Sequence, residues 1–230
     1  CALPILLPGL AFDRDQIVYT YSGIRPLPAS DASNPGLISR DHSAPVAEPT
    51  GTRRWPIISL VGGKWTTFRG FAEEVADVIL SRLGETRKKD TRLAPIGGGR
   101  DYPQDQQGWI RQVVAASGSE PARAATLLAR YGTTAASILV AEGRNPMMLQ
   151  DADYSLPELD WLARNERVQH LSDLVMRRTA LAITGHLSGR DLNSIAQVCA
   201  RALNWSDAQI EQELQDTRTM LASRHGVRLS

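Results

Sequence analysis

Gly62-Gly63-Lys64 lies between an apolar run and an amphipathic segment, and it is the stretch of this chain best suited to hold an anion. Two glycines let the backbone approach a ligand closely, and the first N–H groups of a following helix carry partial positive charge. Lys64 adds a formal charge there in a chain where arginine supplies nearly all the rest, the other lysines being Lys88 and Lys89. A tight turn with no ligand satisfies the same pattern, so both readings stand. Arg25 precedes Pro26, whose ring fixes the local backbone. A guanidinium held there suits a bidentate grip on phosphate or carboxylate, or a structural salt bridge. Arg40, beside Asp41 and His42, offers the same grip or closes a solvated strand end. Arg177-Arg178-Thr179 fits a solvated helix face, a contact with another domain, or both. Gly97 to Arg100 lacks dinucleotide-binding spacing and reads as a flexible linker. His42, His170, His186 and His225 show no metal-type spacing, so no metal site is expected. No Ser/His/Asp or Cys/His nucleophile set is present in the pattern.

The elements that must position these residues differ between the two halves. Ile17 to Tyr21 is β-branched and aromatic and predicts a strand. Residues 43 to 54 are loop-like, with a hairpin connection one way to use them. Ile57 to Val61 is nearly continuous in apolar residues, which predicts a strand buried on both faces. A helix then begins at Thr66 or Thr67, its face made by Phe68, Phe71, Ala72, Val75, Val78, Ile79 and Leu83, and Gly84 closes it. From about residue 104 the pattern is helical almost throughout. Ser155 with Glu158 forms a capping box. Val168 to Ala182 predicts one long helix ending near Gly185, and Ser206 caps the last helix, with Gly226 past its end. Short loops between such helices imply antiparallel neighbours in a bundle. Trp109, Trp161 and Trp205 read as packing residues.

The totals fit this division. The 230 residues suffice for one sizeable domain, or a small one beside part of another. A net charge of +1 argues against a dedicated nucleic-acid binder. Cys1 and Cys199 lack short-spaced metal partners and fit a reduced cytosolic protein, although a disulfide between them is also compatible. Cys1 to Leu10 is apolar but carries two prolines, no initiator Met and no charged leader. It reads as a chain entered partway through, and no run is expected to span a membrane. The expected fold is α+β and helix-rich. Residues 1–90 give residual strands and one helix, 91–103 a linker, and 104–230 an all-α bundle.

Several motifs in order carry a family resemblance: YSGIRPL (21–27), SRDH (39–42), ISLVGGKWTTFRGFAEEVADVIL (58–80), PIGGGRDYP (95–103), RYG (130–132) and DLVMRRTAL (173–181). Together they resemble the C-terminal half of FAD-dependent glycerol-3-phosphate dehydrogenases, from about residue 9 to 224. The resemblance implies oxidation of sn-glycerol 3-phosphate to dihydroxyacetone phosphate by hydride transfer to FAD, with electrons passed to a quinone pool. It makes residues 1–90 the end of a flavin and substrate domain, and 104–230 a helical cap. It implies Gly62, Gly63, Lys64 and Thr66 beside the flavin, and Arg25, Arg40 and Lys64 around the substrate. A cytoplasmic location follows, with peripheral association on the inner face of the membrane through the full-length protein. The family's N-terminal dinucleotide-binding unit has no counterpart in these residues, so the fragment alone is expected to hold FAD poorly and to be inactive. Two other readings stand beside this one: a related FAD-dependent amine or amino-acid oxidoreductase, and an autonomous helical interaction domain presenting Arg177 and Arg178.

Overall fold

The computed structural model describes residues 9–11, 13–23, 33–34, 38, 41–62 and 65–229. Contacts divide the chain into two compact units, one of Gly23–Ile96 and one of Cys1–Ser22 with Gly97–Ser230. The structure is helix-rich α+β, as the sequence pattern implies, with a two-stranded sheet in the smaller unit.

In the unit of Gly23–Ile96, β1 (Val46–Ala47) pairs antiparallel with β2 (Ile57–Ile58). Ser43 and Val61 extend the ladder by exchanging N–H···O bonds of 3.0 and 2.9 Å. The loop between is a hairpin pinned by one side chain, because Arg53 donates to the carbonyls of Ala47, Glu48 and Trp55. The expectation of a strand buried on both faces does not hold: Ile57 and Leu60 are exposed, and regular pairing ends at Ile58. A two-stranded hairpin has no second layer to cover its outer face.

The predicted helix is present as α1 (Phe68–Arg82), with Gly84 in the left-handed region at φ +74°. Phe71 and Val75 are buried, but Phe68, Val78, Ile79 and Leu83 of the same stripe are exposed. Polar ties hold α1 to its surroundings. Arg82 grips the Glu48 carboxylate in a fork of 2.5 and 3.0 Å. Arg87 pairs with Glu73 and Asp77, so the segment after the helix folds back along it.

The larger unit is a helical bundle. It comprises α2 (Gln106–Ser117), α3 (Pro121–Tyr131), α4 (Ala135–Glu142), α5 (Leu156–Asn165), α6 (Leu171–Asp173), α7 (Gly189–Leu203) and α8 (Asp207–His225). The sequence marked the ends well. Ser155 Oγ accepts from the Glu158 N–H at 3.0 Å, and Ser206 Oγ accepts from that of Gln209 at 3.3 Å. The single long helix predicted over 168–185 is instead broken. After α6 the chain makes a π-helical turn, Leu174–Arg178, and Thr179 is extended. Leu174 and Val175 before the break and Leu181 and Ala182 after it are all buried.

Pro121–Glu142 is long and apolar enough to cross a membrane, which corrects the expectation that no run is. Here it forms α3, a 3-10 turn and α4, bent at Gly132 (φ +58°), and its apolar residues make core. Ala124, Leu127, Leu128, Ala135, Ile138 and Leu139 pack with Ile110 in one cluster. A larger cluster joins α5 to α8, and Tyr131 and Trp161 lie against both. Burying a Leu or Ile side chain in such a cluster contributes roughly 1.5–3 kcal/mol. Cys199 is in this core, where burial pushes its thiol up to about 12.

Ile17 to Tyr21 forms no strand among the described residues. It spends its backbone groups on the end of α8 instead: the Thr20 N–H donates to the His225 carbonyl at 3.0 Å, and His225 Nδ1 donates to Thr20 O at 2.8 Å. Tyr19 stacks on the His225 ring with centroids 4.6 Å apart. The last carbonyls of a helix have no partner within it, so a passing extended segment can take one.

Candidate functional site

The turn that opens α1 is built from the backbone outward. Gly62 has φ +70°, and a Cβ there would lie 3.0 Å from the Asp41 carbonyl oxygen. Both facts require glycine before any ligand is considered. His42, the next residue, stacks on Phe71 of α1 at 4.4 Å and places Nε2 3.0 Å from Glu74 Oε2. His42 and the first turns of α1 are therefore tied together inside this unit. Thr66 sits in a 3-10 turn (Trp65–Thr67) leading into α1 and is exposed. The first turn of α1 has no acidic side chain, so its partial positive charge is not cancelled locally. The described residues thus fit a negatively charged group at this point, including the pyrimidine edge of a reduced flavin. Arg25, Arg40, Gly63 and Lys64 lie outside the described residues.

Sequence reasoning missed a second constellation, in the helical unit. Arg123 donates to Glu142 at 2.6 Å and to Glu158 at 2.5 Å, and both carboxylates are fully buried. Arg130 reaches Glu158 at 3.2 Å and Asp153 at 3.1 Å. The Tyr131 hydroxyl donates to Glu158 at 2.6 Å, and Ser155 Oγ donates to Glu142 at 2.5 Å. Burial works against the charge on Arg123, but its bonds to the two glutamates outweigh it and hold the pKa above the usual arginine range. Burial, then the Glu158 charge and bond, pushes the Tyr131 phenol up as well. Every charged member has a partner, so the cluster works as an internal lock between α3, α4 and α5. The sequence held one clue, a capping-box glutamate in an apolar setting, and no clue to its partners.

The three motif segments Gly97–Gly99, Arg130–Gly132 and Arg177-Arg178 converge on one cleft of about 490 Å³, lined also by Tyr102, Trp161 and Glu166. Gly97 to Arg100 is not a loose linker. Gly97–Gly99 is a 3-10 turn, and Thr133 Oγ1 donates to the carbonyls of Gly98 and Arg100 at 3.0 and 2.8 Å. Arg177 pairs with Asp173 at 2.9 Å, and Arg178 Nε donates to the Glu166 carbonyl at 2.6 Å. Of the other histidines, His170 sits at the start of α6, where Nδ1 donates to Glu213 at 2.7 Å. Among the described residues no group of three or more His, Cys, Asp or Glu is placed to hold a metal ion.

Known proteins are similar to this chain over most of its length. A glycerol-3-phosphate dehydrogenase of Synechocystis is 28% identical over 218 residues, covering 91% of this chain and 38% of that protein. A probable mitochondrial glycerol-3-phosphate dehydrogenase of Dictyostelium discoideum is 28% identical, covering 93% of this chain and 34% of its own length. A glycerol-3-phosphate dehydrogenase of Pseudomonas tolaasii is 31% identical over 74% of this chain and 33% of its own. The chain therefore spans about a third of the length of these relatives. Residues 89–210 match the family described as the C-terminal domain of alpha-glycerophosphate oxidase. That match takes in the helices from α2 through α7 and the cleft between them, and by it the chain belongs to this family.

Proposed function

We propose that this chain forms part of an FAD-dependent glycerol-3-phosphate dehydrogenase, which oxidises sn-glycerol 3-phosphate to dihydroxyacetone phosphate and passes electrons to quinone. The observation that carries the reading is the glycine turn at Gly62, leading to a helix without acidic residues in its first turn, in a chain similar to a protein named glycerol-3-phosphate dehydrogenase over nine-tenths of its length.

In this reading Gly62 and Gly63 keep side chains away from the cofactor, and Thr66 with the α1 start faces its negatively charged edge. FAD, when bound, accepts the hydride released from C2 of the substrate. Arg25 grips the substrate phosphate with its guanidinium fork, and Arg40 orients the hydroxyls. Lys64 adds positive charge beside both. Residues outside 1–230 complete the pocket, so the isolated chain holds FAD poorly. The protein works in the cytoplasm, held peripherally on the inner face of the membrane where quinone is at hand.

The test is reduction of the flavin-loaded, full-length protein under anaerobic conditions. Glycerol 3-phosphate should bleach the flavin absorption band. Bleaching by an amine or amino acid in its place would move the protein to a different oxidoreductase class.

A further inference from the structure

The cleft lined by Gly97–Gly99, Arg130–Gly132 and Arg177-Arg178 has a use that the roles given to Arg25, Arg40 and Lys64 do not draw on. Its volume, about 490 Å³, falls among small-molecule sites, which run roughly 300–1,000 Å³. The aromatic residues Tyr102, Tyr131 and Trp161 form part of the lining. Such a lining with a few placed polar groups is what an organic ligand requires.

Four arginines of this unit, at or next to the cleft, fall into two kinds. Arg123 and Arg130 are matched by the carboxylates of Glu142, Glu158 and Asp153. Arg177 has a single carboxylate bond, to Asp173, and Arg178 is fixed by one bond to a carbonyl, that of Glu166. Among the described residues, the other guanidinium nitrogens of Arg177 and Arg178 have no hydrogen-bond partner. Glu166 is the one acidic residue among those lining the cleft. Anchored guanidinium groups with spare donors, beside aromatic faces, suit a phosphate on one side and a planar carbon body on the other.

We propose that this cleft binds a small phosphate ester with a planar body, its phosphate on Arg177 and Arg178 and its body against Trp161 and Tyr102. The glycine turn fits that role. A Cβ on Gly98 would meet the Tyr131 carbonyl, so the turn sits flush against the end of α3 and leaves the cleft open.

Calorimetric titration of the full chain with phenyl phosphate and with inorganic phosphate tests this. Phenyl phosphate should bind saturably at one site and more tightly than inorganic phosphate. Arg177→Gln should weaken it about tenfold or more, the loss expected on removing a charge-assisted hydrogen bond. No saturable binding, equal affinity for the two phosphates, or an Arg177→Gln protein that melts like the parent and binds as tightly would each overturn the proposal. If Arg177→Gln melts early, Arg177→Lys takes its place, keeping the charge beside Asp173 and losing the fork. It too must bind more weakly, and unchanged affinity would overturn the proposal equally.

Discussion

Gly98 and Gly132 are packed against each other so closely that neither has room for a methyl group. A Cβ on Gly98 would enter the Tyr131–Gly132 backbone, and one on Gly132 would enter that of Gly98. Two glycine motifs 34 positions apart in the sequence, GGGR and RYG, are thus one structural joint. Thr133 completes it with its bonds to Gly98 and Arg100.

Gly98→Ala should therefore destabilise the helical unit by about 1–3 kcal/mol, the usual cost of overpacking. Gly132→Ala should cost more, since φ +58° adds backbone strain to the clash. Ala at Gly99, which has open space, should be mild. Urea unfolding of the three variants gives the order.

Removing Arg123 leaves Glu142 and Glu158 buried side by side without their shared cation. Arg123→Met should cost about 3–5 kcal/mol, the range for breaking a buried pair from one side. Adding Glu142→Gln should recover part of that loss, because one uncompensated charge is gone. A double-mutant cycle in urea measures the coupling.

His170 bonds Glu213, and that bond, then the Glu213 charge, raises its pKa above 6.5. The raised group favours the folded state when protonated. Its contribution is full below the unfolded value and fades as pH rises through the folded one. Between about pH 6 and pH 8 the parent should lose more Tm than His170→Gln does. Parallel Tm curves for the two proteins would contradict this.

Much of the bundle was legible in the sequence because its signals are local. Ser155, Ser206 and Gly226 mark helix ends with side chains or φ angles that need no distant partner. What failed depended on distant contacts. Ile17 to Tyr21 has strand residues but meets the end of α8, some 200 positions away. The helix predicted over 168–185 breaks at Thr179, beside which the Ala180 N–H donates to the Tyr154 hydroxyl, 26 positions away, at 3.2 Å. Gly97–Gly99 read as a linker because its partner, Gly132, is invisible to local spacing. At the candidate site, Gly62 and the start of α1 were legible as a strand–glycine–helix pattern. The Arg123 lock was not, because a buried glutamate looks like a solvated one until its arginine is placed.

In the proposed function, Arg25 grips the phosphate of the substrate. This grip is tested most directly by the KM of the full-length, flavin-loaded Arg25→Ala enzyme for glycerol 3-phosphate, compared with glycerol. A rise of about tenfold or more is expected for the phosphorylated substrate, the worth of a charge-assisted bond, with little change for glycerol. An unchanged KM for glycerol 3-phosphate would contradict it.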